Sequence, residues 1–146
     1  MSQPDIETTA YAQWVTIDNG NNSPGTATLV IRKVSLSWGK FYEGGNKDRE
    51  IHISSLEGKE IPAGGSFKIY SCGRENASSG TEGSYNLVEK NGGRLVRRVY
   101  WNCPLGTKTN TFTLSGANRD WVIQQDGGNL DSGALGDIKL TMVKFR

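Results

Sequence analysis

One histidine, His52, and two cysteines, Cys72 and Cys103, are all that 146 residues offer in imidazoles and thiols. With a single imidazole, Ser–His–Asp and Cys–His chemistry would both have to use His52, and no nucleophile elbow accompanies it. In the alternating Glu50-Ile51-His52-Ile53, the imidazole reads as an outward strand position rather than a general base. No reaction is therefore expected of this chain. The cysteines are too few and too far apart for a CxxC metal or redox site. A bridge between them would stabilise by roughly 3.5–4 kcal/mol, and two buried free thiols are an equal alternative. No apolar run approaches the length that spans a bilayer. Met1 to Thr9 is polar and acidic, without the charged-then-apolar order of a secretory signal. The expectation is a protein made soluble in the cytoplasm that acts, if outside, by an unconventional route or lysis. Seventeen basic and fifteen acidic residues leave a net charge of +2, with no long basic run, so nucleic-acid binding is poorly supported. The glycine-rich Gly73 to Gly83 has neither a Walker lysine nor a following helix. Asp126 to Asp131 lacks the ligand spacing of an EF-hand and reads as a turn, so no metal or cofactor is expected.

What is abundant is glycine, with 19 residues, and a period of two. Val30, Arg32, Val34, Leu36 and Trp38 share one parity against Ile31, Lys33, Ser35 and Ser37. The alternation recurs in Tyr11 to Ile17, Glu50 to Ile53, Phe67 to Tyr70, Tyr85 to Leu87 and Leu95 to Trp101. It continues in Phe112 to Leu114, Trp121 to Ile123 and Ile138 to Phe145, making about nine strands. Asn19 to Gly25, Pro62 to Gly65, Asn91 to Gly93 and Gly127 to Asn129 supply turn chemistry between them. No segment keeps helical spacing for three turns, and there is no repeat or linker. The pattern predicts one all-β domain, an antiparallel sandwich or barrel, over residues 11–146 behind a polar extension, residues 1–10.

Two stretches combine aromatics, lysine and turn residues: Ser37-Trp38-Gly39-Lys40, and Tyr100-Trp101-Asn102-Cys103-Pro104-Leu105-Gly106-Thr107-Lys108. An indole has an apolar body and one N–H donor, so it settles between headgroups and acyl chains while an ammonium meets phosphate. A tryptophan in an alternating strand is more often core, and loop placement alone separates the two. The same aromatics beside Asn- and Asp-rich loops also suit a carbohydrate-binding module.

Several words in order along the chain resemble the aegerolysin family: Tyr11-Ala12-Gln13-Trp14-Val15, Ser37-Trp38-Gly39-Lys40, Lys47-Asp48 and Cys72-Gly73-Arg74. Trp101-Asn102-Cys103-Pro104 with Lys108-Thr109-Asn110, then Asn129-Leu130-Asp131-Ser132-Gly133-Ala134, complete the set. The resemblance implies an actinoporin-like β-sandwich that docks on sphingolipid membranes, containing sphingomyelin with cholesterol or ceramide phosphoethanolamine. It also implies recruitment of a larger perforin-like (MACPF) partner to make a cytolytic or insecticidal pore, with possible self-association on the membrane. Trp14, Trp38 and Lys108 fall on the family's lipid-contacting positions. Where the best-known fungal members have a second tryptophan after Cys-Pro, this chain has Leu105, and where some have a glutamate after Cys-Gly-Arg it has Ser79. The expected membrane-binding set is Trp14, Trp38, Tyr42, Ser79, Trp101, Leu105 and Lys108.

Overall fold

The computed structural model describes residues 10–146, so of the expected N-terminal extension only Ala10 falls within it. Among the described residues eleven strands form: β1 (Trp14–Asn21), β2 (Leu29–Trp38), β3 (Lys40–Glu43), β4 (Asn46–Ile51), β5 (Glu60–Ile61) and β6 (Ser66–Cys72) come first. β7 (Thr81–Glu89), β8 (Leu95–Cys103), β9 (Thr111–Ser115), β10 (Trp121–Gly127) and β11 (Gly136–Lys144) follow. Nine correspond to the alternating segments; β3 and β5 are too short to show a period. Glu50 to Ile53 does not continue as a strand: β4 ends at Ile51, and His52 instead caps a 3-10 turn over Ile53–Ser55, its Nδ1 accepting from the Ser54 N–H.

The strands make two sheets, β10-β11-β1-β6-β3-β4 and β5-β2-β7-β8-β9. All pairings are antiparallel except one: β1 and β11, the first and last strands, run parallel side by side. Val15, Ile17, Ile69, Ile138, Leu140 and Met142 of the first sheet face Leu29, Ile31, Tyr85, Leu87, Val99 and Trp101 of the second across one apolar core. One of the buried polar links between the sheets is made here: the Tyr85 hydroxyl donates to Asn19 Oδ1 at 2.6 Å, while the Asn19 amide donates to Phe67 O. Its two ends satisfy each other, so neither carries the cost of an unpaired buried group.

Register irregularities decide what faces out. Unbroken alternation would put Val34, Leu36 and Trp38 on the face opposite Leu29 and Ile31. In β2 the pairing with β7 slips between Arg32 and Ser35, where Lys33 has φ +52, and again between Leu36 and Trp38. The first slip brings Val34 and Leu36 to the core; the second turns Trp38 out to solvent. The first bulge is held by Glu57, whose carboxylate accepts from the Lys33 and Val34 N–H groups at 3.1 and 2.9 Å. A further slip between β7 and β8 tucks Val96 inside and leaves Leu95 at the surface, the reverse of the simple alternation.

Candidate lipid-docking site

Trp38, Glu82 and Asn102 form a row across β2, β7 and β8, directly paired in register and facing away from the core. Cross-strand neighbours of this kind have Cβ atoms about 4.5–5.5 Å apart. The row floors a cleft of about 230 Å³ whose walls are Ser78 to Thr81 on one side and Pro104, Leu105 and Lys108 on the other. Trp38 is 58% exposed, the most exposed large apolar side chain among the described residues. Four of the expected residues, Trp38, Ser79, Leu105 and Lys108, thus converge from three separate segments.

Local chain chemistry builds that convergence. Gly39, at φ +91, carries the backbone from β2 in one sheet to β3 in the other within one residue, and a Cβ there would meet Cys72 O at 2.5 Å. Gly80 passes so close to the Cys103 carbonyl that any side chain would collide with it. The cleft wall is wired to the core beneath. Trp101 Nε1–H donates to Thr81 Oγ1 at 3.0 Å, and Thr81 lies 2.6 Å from Ser71 Oγ. Because the Ser71 hydroxyl donates to Lys40 O, Thr81 must donate to Ser71. The 104–110 loop is clamped by Asn110, whose amide donates to Asn129 O and Gly133 O at 2.8 and 3.0 Å. Asn129 folds its own turn, with donors to Ser132 O and Ala134 O.

Charge in this cleft is of both signs. The Lys108 side chain is exposed and forms no ion pair among the described residues. Glu82 accepts a very short hydrogen bond from the Tyr100 hydroxyl, which pushes the phenol up to about 12. That bond holds the carboxylate in place and leaves its second oxygen available. Glu82 does not stand out in the sequence, and Asn102 appears there only within the word Trp101-Asn102-Cys103-Pro104, since only the strand register sets the two beside Trp38.

The other expected residues lie elsewhere. Trp101 is fully buried, its ring 6.0 Å from Phe41 and 6.1 Å from Tyr85, so it is core and touches no surface. Lys40, which follows Trp38 in sequence, is only 6% exposed; it donates to the Tyr11 hydroxyl on the far side of Gly39 and does not reach the cleft. Trp14 and Tyr42 line a second, larger cleft with Tyr11, Thr16, Lys47, Tyr70 and Asp137. Tyr42 is buried there, which pushes its phenol up to about 12, and it has no route to headgroup depth.

Cys72 and Cys103 are both free and buried in the structure. Burial pushes both thiols up, Cys103 to about 11. A thiol raised in this way stays neutral at pH 7–8 and is a poor nucleophile. A disulfide-exchange reagent is therefore expected to modify neither cysteine in the native protein at pH 8 and both in denaturant; fast native labelling would contradict the burial.

The motifs now sit on one frame. A family model described as Aegerolysin matches residues 12–145. This chain belongs to the aegerolysin family. It is 48% identical over 136 residues to aegerolysin Aa-Pri1 of Cyclocybe aegerita, covering 92% of each chain. To ostreolysin A6 of Pleurotus ostreatus it is 45% identical, covering 92% of this chain and 97% of that one. Asp-hemolysin of Aspergillus fumigatus is 42% identical over 94% of this chain and 96% of its own length. Among solved structures, RahU protein in complex with a Tris molecule superposes with a TM-score of 0.84 at 36% identity, covering 94% of this chain and 98% of RahU. IP-1A of Alcaligenes faecalis gives 0.83 at 39% identity, covering 94% and 95%. Aegerolysins are membrane-lipid-binding, toxin-like proteins, and the sandwich described above is theirs.

Proposed function

We propose that this aegerolysin docks on membranes displaying phosphosphingolipids, through the cleft between Trp38 and Lys108. It then serves as the docking component of a cytolytic or insecticidal pore with a larger perforin-like partner, acting from outside the target cell. The carrying observation is that an exposed indole, the apolar Leu105 and a free ammonium share one headgroup-sized cleft at the end of a rigid sandwich. The lytic names of ostreolysin A6 and Asp-hemolysin support the toxin half of the reading. Trp38 and Leu105 enter to headgroup depth while Lys108 meets lipid phosphate. Burying two such side chains yields about 3–6 kcal/mol before ordering costs, weak for one molecule and firm for a cluster on the membrane or a complex with the partner.

Glu82 refines the choice of lipid. A zwitterionic headgroup places its phosphate at Lys108 and its amine against the Glu82 carboxylate beside the Trp38 ring. A primary ammonium donates hydrogen bonds to that carboxylate, whereas a quaternary one cannot, so ethanolamine is favoured over choline. Co-sedimentation with vesicles of phosphatidylcholine alone, with sphingomyelin and cholesterol, and with ceramide phosphoethanolamine tests this. Pelleting is expected with the sphingolipids, most strongly with ceramide phosphoethanolamine, and Glu82→Gln is expected to erode that preference. No pelleting with any of the three rejects the lipid reading; pelleting with unchanged preference in Glu82→Gln removes Glu82 from headgroup selection.

A further inference from the structure

The second cleft, about 630 Å³, opens on the outward face of the β10-β11-β1-β6-β3-β4 sheet. Outward sheet faces are ordinarily polar and solvated. Here Tyr11, Trp14, Tyr42 and Tyr70 line one concavity, with the Tyr42 and Tyr70 rings 5.6 Å apart. The walls are firmly built. Lys47 Nζ donates to Tyr11 O and lies 5.8 Å over the Trp14 ring; Lys40 Nζ donates to the Tyr11 hydroxyl, which donates to Asp48 Oδ1 at 2.8 Å.

Charge narrows the ligand. Two resident ammoniums already sit against the Tyr11 and Trp14 rings, so a cationic guest meets repulsion where an aromatic cage would attract it. Two carboxylates, Asp48 and Asp137, oppose an anion in the same way. A lipid tail would strand the ammoniums and hydroxyls in hydrocarbon. A neutral, hydroxyl-rich ring fits all of these: its C–H face stacks on an aromatic wall, and its hydroxyls reach Thr16, Tyr70 and Asp137, which has no ion-pair partner among the described residues. We propose that this cleft is a saccharide-binding site, separate from the Trp38–Lys108 cleft and independent of its lipid reading.

The test is amide chemical-shift mapping of the full chain with methyl glycosides of glucose, galactose, mannose and N-acetylglucosamine. At least one glycoside is expected to shift Thr16, Lys47, Tyr70 and Asp137. Trp14→Ala is expected to weaken that binding about tenfold. Asp137→Asn, at an exposed position, is expected to weaken it several-fold with an unchanged fold, and Trp38→Ala to leave it unchanged. Absence of shifts with every glycoside overturns the proposal. So does a response confined to Trp38, Glu82 and Lys108, which would assign sugar binding to the first cleft, and so does full affinity retained by both Asp137→Asn and a folded Trp14→Ala.

Discussion

Trp101→Ala is expected to destabilise the protein by about 3–5 kcal/mol, a large share of the 5–15 kcal/mol that holds an ordinary domain together. The indole is fully buried between Phe41 and Tyr85, and Gly83 presses against its six-membered ring so closely that a Cβ there would lie 2.6 Å from it. Removing the ring opens a cavity between strands that pair on both sides of it, leaving little room for collapse. It also removes the donor to Thr81 Oγ1 at the head of the Thr81–Ser71–Lys40 chain. Trp101→Phe retains most of the volume and loses the donor, so about 1–2 kcal/mol is expected of it. Denaturant unfolding curves of both variants measure these differences. A Trp101→Ala protein as stable as the parent would show that the ring does not support the core.

Trp38→Ala is expected to do the reverse: vesicle binding falls roughly 30- to 150-fold, corresponding to about 2–3 kcal/mol of apolar contact with the membrane, while the melting temperature is unchanged. The side chain is more than half exposed in the free protein, so its removal leaves no cavity. Lys108→Ala is expected to weaken binding to a lesser degree, with the loss shrinking as salt rises, since an exposed ammonium acts through a screened attraction to phosphate. Co-sedimentation and thermal melts of the two variants decide it. A lowered melting temperature with unchanged vesicle binding would make Trp38 a structural residue and move the docking surface elsewhere.

Four tryptophans read alike in sequence and have three different fates. Trp101 and Trp121 are core, Trp14 walls the second cleft, and Trp38 is exposed. Parity along β2 joins Trp38 to Val34 and Leu36, which would have buried it. The slip at Ser37 reverses that, and such a slip is a property of pairing with β7, not of β2 alone. The same pairing hides Glu82, an unremarkable carboxylate in a glycine-rich segment until its partner across the strand is known.

Several of the sequence words turn out to build rather than bind. Tyr11, Lys40, Lys47 and Asp48, drawn from three motifs, tie one another together around the Tyr11 side chain and carbonyl. Arg74 forks onto Glu50 at 2.8 and 2.7 Å and fastens the start of the cleft loop to β4, which holds the Glu50 carboxyl below its usual range. Asn110 and Asn129 clamp two loops with backbone bonds.

The sequence by itself determined that the protein is one all-β domain with the aegerolysin pattern, because period-two alternation and glycine turns are local properties that need no partner strand. It also singled out Trp38, Ser79, Leu105 and Lys108 as candidates for the membrane-facing surface. Only the tertiary structure decided that these four meet in one cleft with Glu82 and Asn102, that Trp101 is core, and that Trp14 and Tyr42 open onto a different cleft. Those outcomes depend on bulges, sheet order and the crossing at Gly39, which arise when strands distant in sequence pair and one displaced residue exchanges inside for outside.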